Sequence, residues 1–141
     1  FFAEAPFHHH ADPVDRVLGY IDLRLALIGG PAESFSCVAG TMVQEAFRSS
    51  AAIRIACEAS IMDNARALEA DIAEAMIQRG VTGTTAESLS RHVQVVIQGA
   101  FILAKTQEES AAPDMARDAL RHLRRYFEFL FRVPQERSAD Q

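Results

Sequence analysis

Disulfide bridges, membrane insertion and polyanion binding are all poorly provided for in this chain of 141 residues. Its two cysteines, Cys37 and Cys57, both lie in apolar stretches and suggest no framework of bridges, so a reducing interior compartment, the cytoplasm, is the default expectation. No stretch approaches the roughly 18 apolar residues of a membrane span, and no basic leader precedes an apolar run with a cleavage site. Fourteen basic against nineteen acidic residues leave a formal charge of −5 with no polycationic face, which disfavours binding of a nucleic acid backbone by this piece alone. The one local basic cluster, RHLRR at Arg121–Arg125, reads as a solvated helix face.

Catalytic signatures are missing too. The chain has no HExxH, no Glu-x-x-His pair of a di-iron bundle, no nucleotide-binding glycine loop and no serine elbow. His8, His9 and His10 are consecutive, so their side chains diverge, and an exposed polar turn is a better reading than a metal site. Glu45, with Gln44, falls beside Met42, Val43 and Phe47, where burial could raise a carboxyl pKa. Without a complementary acid or base it does not make an enzyme. No cofactor and no metal are expected.

What the chain does have is helical periodicity, enough for one domain with its own core. Five helical segments are predicted, with no convincing strand. Asp12 caps the first, with Pro13 at its first position, and Gly29, Gly30 and Pro31 end it. Val14, Val17, Leu18, Ile21, Leu25 and Ile28 form its apolar face. A short helix follows over Ser36–Arg48, then a long one from Ala51 to Gly80 with a stripe of Ile53, Cys57, Ile61, Ala65, Leu68, Ile72, Ala75 and Met76. Arg54 and Glu58 are spaced to pair one turn apart on its wet side. Thr84 or Thr85 caps a fourth helix reaching about Gln107, and Pro113 and Asp114 open a last one carrying Leu120, Leu123 and Phe127. The domain is thus expected over residues 1–133, with a polar tail over 134–141. Lengths and short loops imply an all-α antiparallel bundle.

The fourth helix holds the least ordinary stretch, VVIQGAFILAK, in which eight apolar residues surround a glycine and a glutamine. Leu89, Val93, Val96, Ala100 and Leu103 form one line, Val95, Gly99 and Ile102 a second, and Ile97, Phe101 and Ala104 a third. A helix apolar all round needs cover on several faces. Pairing of the last two helices with their twins in a second subunit supplies it, and Gly99, costing about 1 kcal/mol inside a helix, fits a close approach there. A pocket between helices is the second expectation, with Met62, Phe101, Tyr20, Leu25, Cys37, Thr41 and Phe47 against the small Ala65 and Ala104 and the polar Asn64, Gln94 and Gln98.

The segments VAGTMVQEAF (Val38–Phe47), AAIRIACEASI (Ala51–Ile61) and QGAFILAK (Gln98–Lys105), in this order and spacing, resemble the C-terminal regulatory domain of the TetR/AcrR family of bacterial transcription regulators. The likeness runs from DPVDRVLGYIDLR, starting at Asp12, to RHLRRYFEFLF, ending at Phe131. It implies a homodimer whose helical domain binds a small apolar or amphipathic effector. Operator DNA would be bound only through an N-terminal helix-turn-helix domain that these residues do not include, with FFAEAPF continuing or following the connecting helix. It places Thr41, Met42, Glu45, Ile61, Ala65, Leu68 and Phe101 at the pocket. The helix of Gln98, Gly99, Ala100, Leu103 and Ala104, with Leu120, Leu123 and Phe127, becomes the dimer element, joined by Val95 and Ile102 from the periodicity. The family mechanism, most often repression, sets two recognition helices about 34 Å apart, and an effector shifts that spacing. A helical carrier of small molecules or lipids without DNA-binding output is the alternative.

Overall fold

The computed structural model describes residues 2–132. They form two short 3₁₀ turns, Phe2–Glu4 and Pro6–His9, and six helices: α1 Pro13–Ala26, α2 Ala32–Phe35, α3 Val38–Ala46, α4 Ala51–Arg79, α5 Ala86–Ala104 and α6 Ala112–Arg132. The fold is all-α. The expected tail, 134–141, lies outside the described residues.

Most helix ends sit where local chemistry puts them. The Asp12 carboxylate accepts from the Val14 amide at 2.9 Å, Ser50 Oγ from the Ile53 amide at 3.3 Å, and Thr85 Oγ1 from the Ser88 amide at 3.1 Å. Each gives a first-turn N–H a partner that the helix cannot supply. α4 stops at Gly80, whose φ of +67° favours glycine, and the Val81 amide closes the end on the Met76 carbonyl at 3.0 Å. Two features depart from the sequence reading. α2 is an additional turn, started by Pro31 with its fixed φ of −65°. Glu58 pairs with Arg66 at 2.9 Å rather than with Arg54, because Asp63 and Glu58 together hold the guanidinium of Arg66 on this exposed face.

α1 is the hub. Val17 and Ile21 are fully buried, as are Ile72 of α4, Val93 and Ile97 of α5, and Leu120 and Phe127 of α6, so four helices share one core. Arginines tie its rim. Arg16 reaches from α1 to Asp71 of α4 at 2.7 Å and also to Glu74. The hydrogen bond to Asp71 is the main cause that holds the Arg16 pKa above its ordinary value. Arg79, at the far end of α4, closes on Asp12 at 2.6 Å. From α6, Arg124 pairs with Asp22 at 2.7 Å and with Glu128, while Arg117 donates to the Ile28 carbonyl.

α3 and the first three turns of α4 lie away from this core. Only Gly40 of α3 is buried, and Val38, Met42, Phe47 and Ile55 are exposed.

Candidate ligand cavity and subunit face

A cavity of about 290 Å³ opens between α1, the α2 turn, α4 and α5. Leu27, Ile28, Phe35, Ile61 and Phe101 give it apolar walls, and Arg24, Asn64, Gln94 and Gln98 bring polar groups to it. Phe35 arrives through the α2 turn and lies 5.9 Å, centroid to centroid, from Phe101. A neighbouring cavity of about 360 Å³ is lined by Phe7, His8, Tyr20, Asp63, Ala67 and Leu68, and the two share Phe2 and Asn64 as walls. Apolar walls with a few convergent polar groups are the common make-up of small-molecule sites.

The polar groups are positioned by packing. Gln94 is buried and its amide donates to the Tyr20 hydroxyl at 3.2 Å, linking α5 to α1. Gln98 is admitted by Gly40, where a Cβ would stand 2.1 Å from its Oε1. Asn64, which lines both cavities, donates its side-chain amide to the Ser60 carbonyl at 3.2 Å. Arg24 lies over three rings, 5.1 Å from the centroid of Phe2, 5.9 Å from Phe101 and 6.0 Å from Tyr20.

Of the residues expected at the pocket, Ile61 and Phe101 line the first cavity and Leu68 the second. Ala65 is buried in α4. Thr41, Met42 and Glu45 stand instead on the exposed side of α3, with Thr41 Oγ1 donating to the Cys37 carbonyl at 3.3 Å and accepting from Lys105. The physical reason is the phase of α3: its close approach to α5 is made by Gly40, so positions one, two and five residues later turn outward. Arg24 escaped the sequence reading. Its signal was there, since it falls one turn after Tyr20 and Ile21 and one turn before Ile28 on the buried side of α1.

The residues expected at a subunit interface divide in two. Leu120, Leu123 and Phe127 are at most 2% exposed and belong to the chain's own core, against α1 and α5, together with Ala100 and Ala104. Gln98 turns to Gly40 and the cavity. Val95, Ile102 and Leu103 are exposed, at 67%, 44% and 52%, and beyond its chain neighbours and its own helix backbone no described residue comes within 4 Å of where a Gly99 Cβ would stand. On α6 the matching outward line is Met115, Ala119, His122, Tyr126 and Phe129, spaced at three and four residues. The His92 and Tyr126 rings, 5.4 Å apart, join the two helices on this side.

The family model for the C-terminal domain of LmrA/YxaF-like transcriptional regulators, a branch of the TetR family, matches residues 13–119. The chain belongs to that family. No curated protein and no solved structure matches it. The match takes in α1 to α5 and the first part of α6, and therefore every helix that walls the cavities. Such domains are parts of transcription regulators rather than enzymes. Glu45 is exposed, and His122 pairs with Asp118 at 3.7 Å, both on the surface. Among the described residues no group of three His, Cys, Asp or Glu side chains could share a metal, and no helix is long and apolar enough to cross a membrane.

Proposed function

We propose that this chain is the effector-binding and dimerisation domain of a cytoplasmic bacterial repressor, whose DNA-binding head is carried on residues preceding it in a longer protein. In this reading the cavity of Arg24, Phe35, Ile61, Gln94, Gln98 and Phe101 takes a small organic effector. The exposed side of α5 and α6, centred on Gly99, meets its twin in a second copy. Val95, Gly99, Ile102 and Leu103 are its α5 half; Tyr126 and Phe129 are its largest groups on α6. A symmetric four-helix contact covers both apolar faces at once.

The observation that carries the regulatory part is the position of Phe2. It walls both cavities, and it belongs to the N-terminal segment that a preceding head would join. Phe7 of the same segment is seated against Gly19 and stands edge-on to Tyr20 at 5.8 Å. A ligand that repositions Phe2 therefore moves the segment leading to the head. An effector that binds one arrangement about a hundredfold better than the other shifts the balance by about 2.7 kcal/mol, enough to release an operator.

Hydrogen–deuterium exchange tests this coupling. A small aromatic probe such as 2-naphthol or 2-naphthoate should slow exchange in residues 2–9 and in α2. Protection confined to other parts of the chain, with the N-terminal segment unchanged by a bound probe, would contradict it.

A further inference from the structure

Arg24 carries more information than an ordinary cavity residue. Of the described arginines without a carboxylate partner, those at 48, 54, 121, 125 and 132 are exposed, and Arg24 is half-buried. No described carboxylate pairs with Arg24 and no described residue accepts a hydrogen bond from it. Its contacts are with the rings of Phe2, Tyr20 and Phe101. A guanidinium stays charged at any physiological pH, and it offers five N–H donors in a planar fork that matches a carboxylate. The rings attract the guanidinium but accept no hydrogen bond in their plane, so its half-buried N–H groups lack a counter-charge that an incoming anion supplies.

The rest of the lining agrees. Among the described residues the cavity is lined by no acidic residue and no second cation: beyond Arg24, its polar side chains are Ser34, Ser36, Cys37, Asn64, Gln94 and Gln98. One positive charge beside Phe101, in a lining that also holds Phe35 and Ile61, calls for one negative charge on an apolar body. A doubly charged phosphate would keep an unmatched charge in this setting. A volume of about 290 Å³ limits the body to one or two rings or a short chain. Phe35 and Phe101, tilted at 59° and 5.9 Å apart, offer ring faces and edges to a flat molecule.

We infer that the effector of this domain is a small monoanionic amphiphile, of the aromatic or short aliphatic carboxylic acid class, whose carboxylate pairs with Arg24 while its apolar body lies against Phe35, Ile61 and Phe101. The inference rests on the reading of this cavity as the effector site.

Calorimetry of the 141-residue chain with three probes of one shape separates the two: 2-naphthoate, its neutral amide 2-naphthamide, and the cationic 2-naphthylmethylammonium. The acid should bind at least about tenfold more tightly than the amide, in keeping with a charge-assisted hydrogen bond, and the cation should bind weakest. Arg24→Gln should bring the acid down to the level of the amide and leave the amide unchanged. Arg24→Lys should keep part of the preference, and it serves should the glutamine variant fail to fold. Equal binding of acid and amide to the wild-type chain overturns the anion class while leaving the cavity as the effector site. Binding of none of the three overturns the cavity reading, and the ligand class with it.

Discussion

Gln94, buried in α5, donates its side-chain amide to the hydroxyl of Tyr20 in α1 at 3.2 Å, and this bond crosses the wall between the two cavities. A buried amide deprived of its partner pays the full cost of its desolvation. Tyr20→Phe should therefore lower stability by about 1–3 kcal/mol in urea denaturation. Gln94→Leu in the Tyr20→Phe background should recover part of the loss, since neither group is then left unsatisfied. Equal losses from the single and the double change would show that the bond does not hold the wall.

Gly40 and Gln98 make a different kind of pair. A Cβ on Gly40 would meet the far end of a flexible side chain, so Gln98 can swing away. The helix gains up to about 1 kcal/mol from alanine over glycine. Gly40→Ala should thus change stability by less than about 1 kcal/mol while altering the affinity of a bound naphthoate by several-fold. Calorimetry of the variant checks both parts.

Gly19 stands in the opposite position. There a Cβ would lie 2.6 Å from the Cβ of Phe7, next to the backbone of the N-terminal segment, which cannot be relieved by rotating a side chain. Gly19→Ala should cost about 1–3 kcal/mol by overpacking, and the segment over Pro6–His9 should exchange faster with solvent.

The two sides of α6 provide a fourth contrast. Phe127 is fully buried and Phe129 is 73% exposed. Phe127→Ala should destabilise the fold by about 3–5 kcal/mol. Phe129→Ala should leave thermal unfolding of a dilute, monomeric sample within about 0.5 kcal/mol, and weaken association of concentrated samples.

Much of this was legible in the sequence, because the strongest local signals act within a few residues. Asp12 with Pro13, Thr85 and Gly80 mark helix ends by chemistry that needs no tertiary context, and Cys57, Ala65, Leu68, Ile72 and Ala75 of the α4 stripe are buried as its period predicts. α2 escaped because four residues are too few to show a period, although Pro31 with Glu33 after it is a helix start. α6 carries two adjacent lines, Leu120–Leu123–Phe127 and His122–Tyr126–Phe129, each containing large rings. Periodicity finds both, and only packing against α1 decides which one turns inward. The same limit applied to α3, where Gly40 fixes a phase that hydrophobicity left open and sends Met42 and Glu45 outward. Arg24 went unread since a charge on a helix is taken as solvated unless the neighbouring rings are known.

If the open side of α5 and α6 around Gly99 joins two copies of this chain, light scattering after size-exclusion chromatography reads the pairing as mass. At tens of micromolar the mass should be twice the 15.5 kDa of one chain, and Ile102→Glu should bring it to that of a single chain with unchanged helical content. A wild-type mass of 15.5 kDa under those conditions, or an Ile102→Glu variant that elutes and scatters as the wild-type dimer, would contradict the pairing.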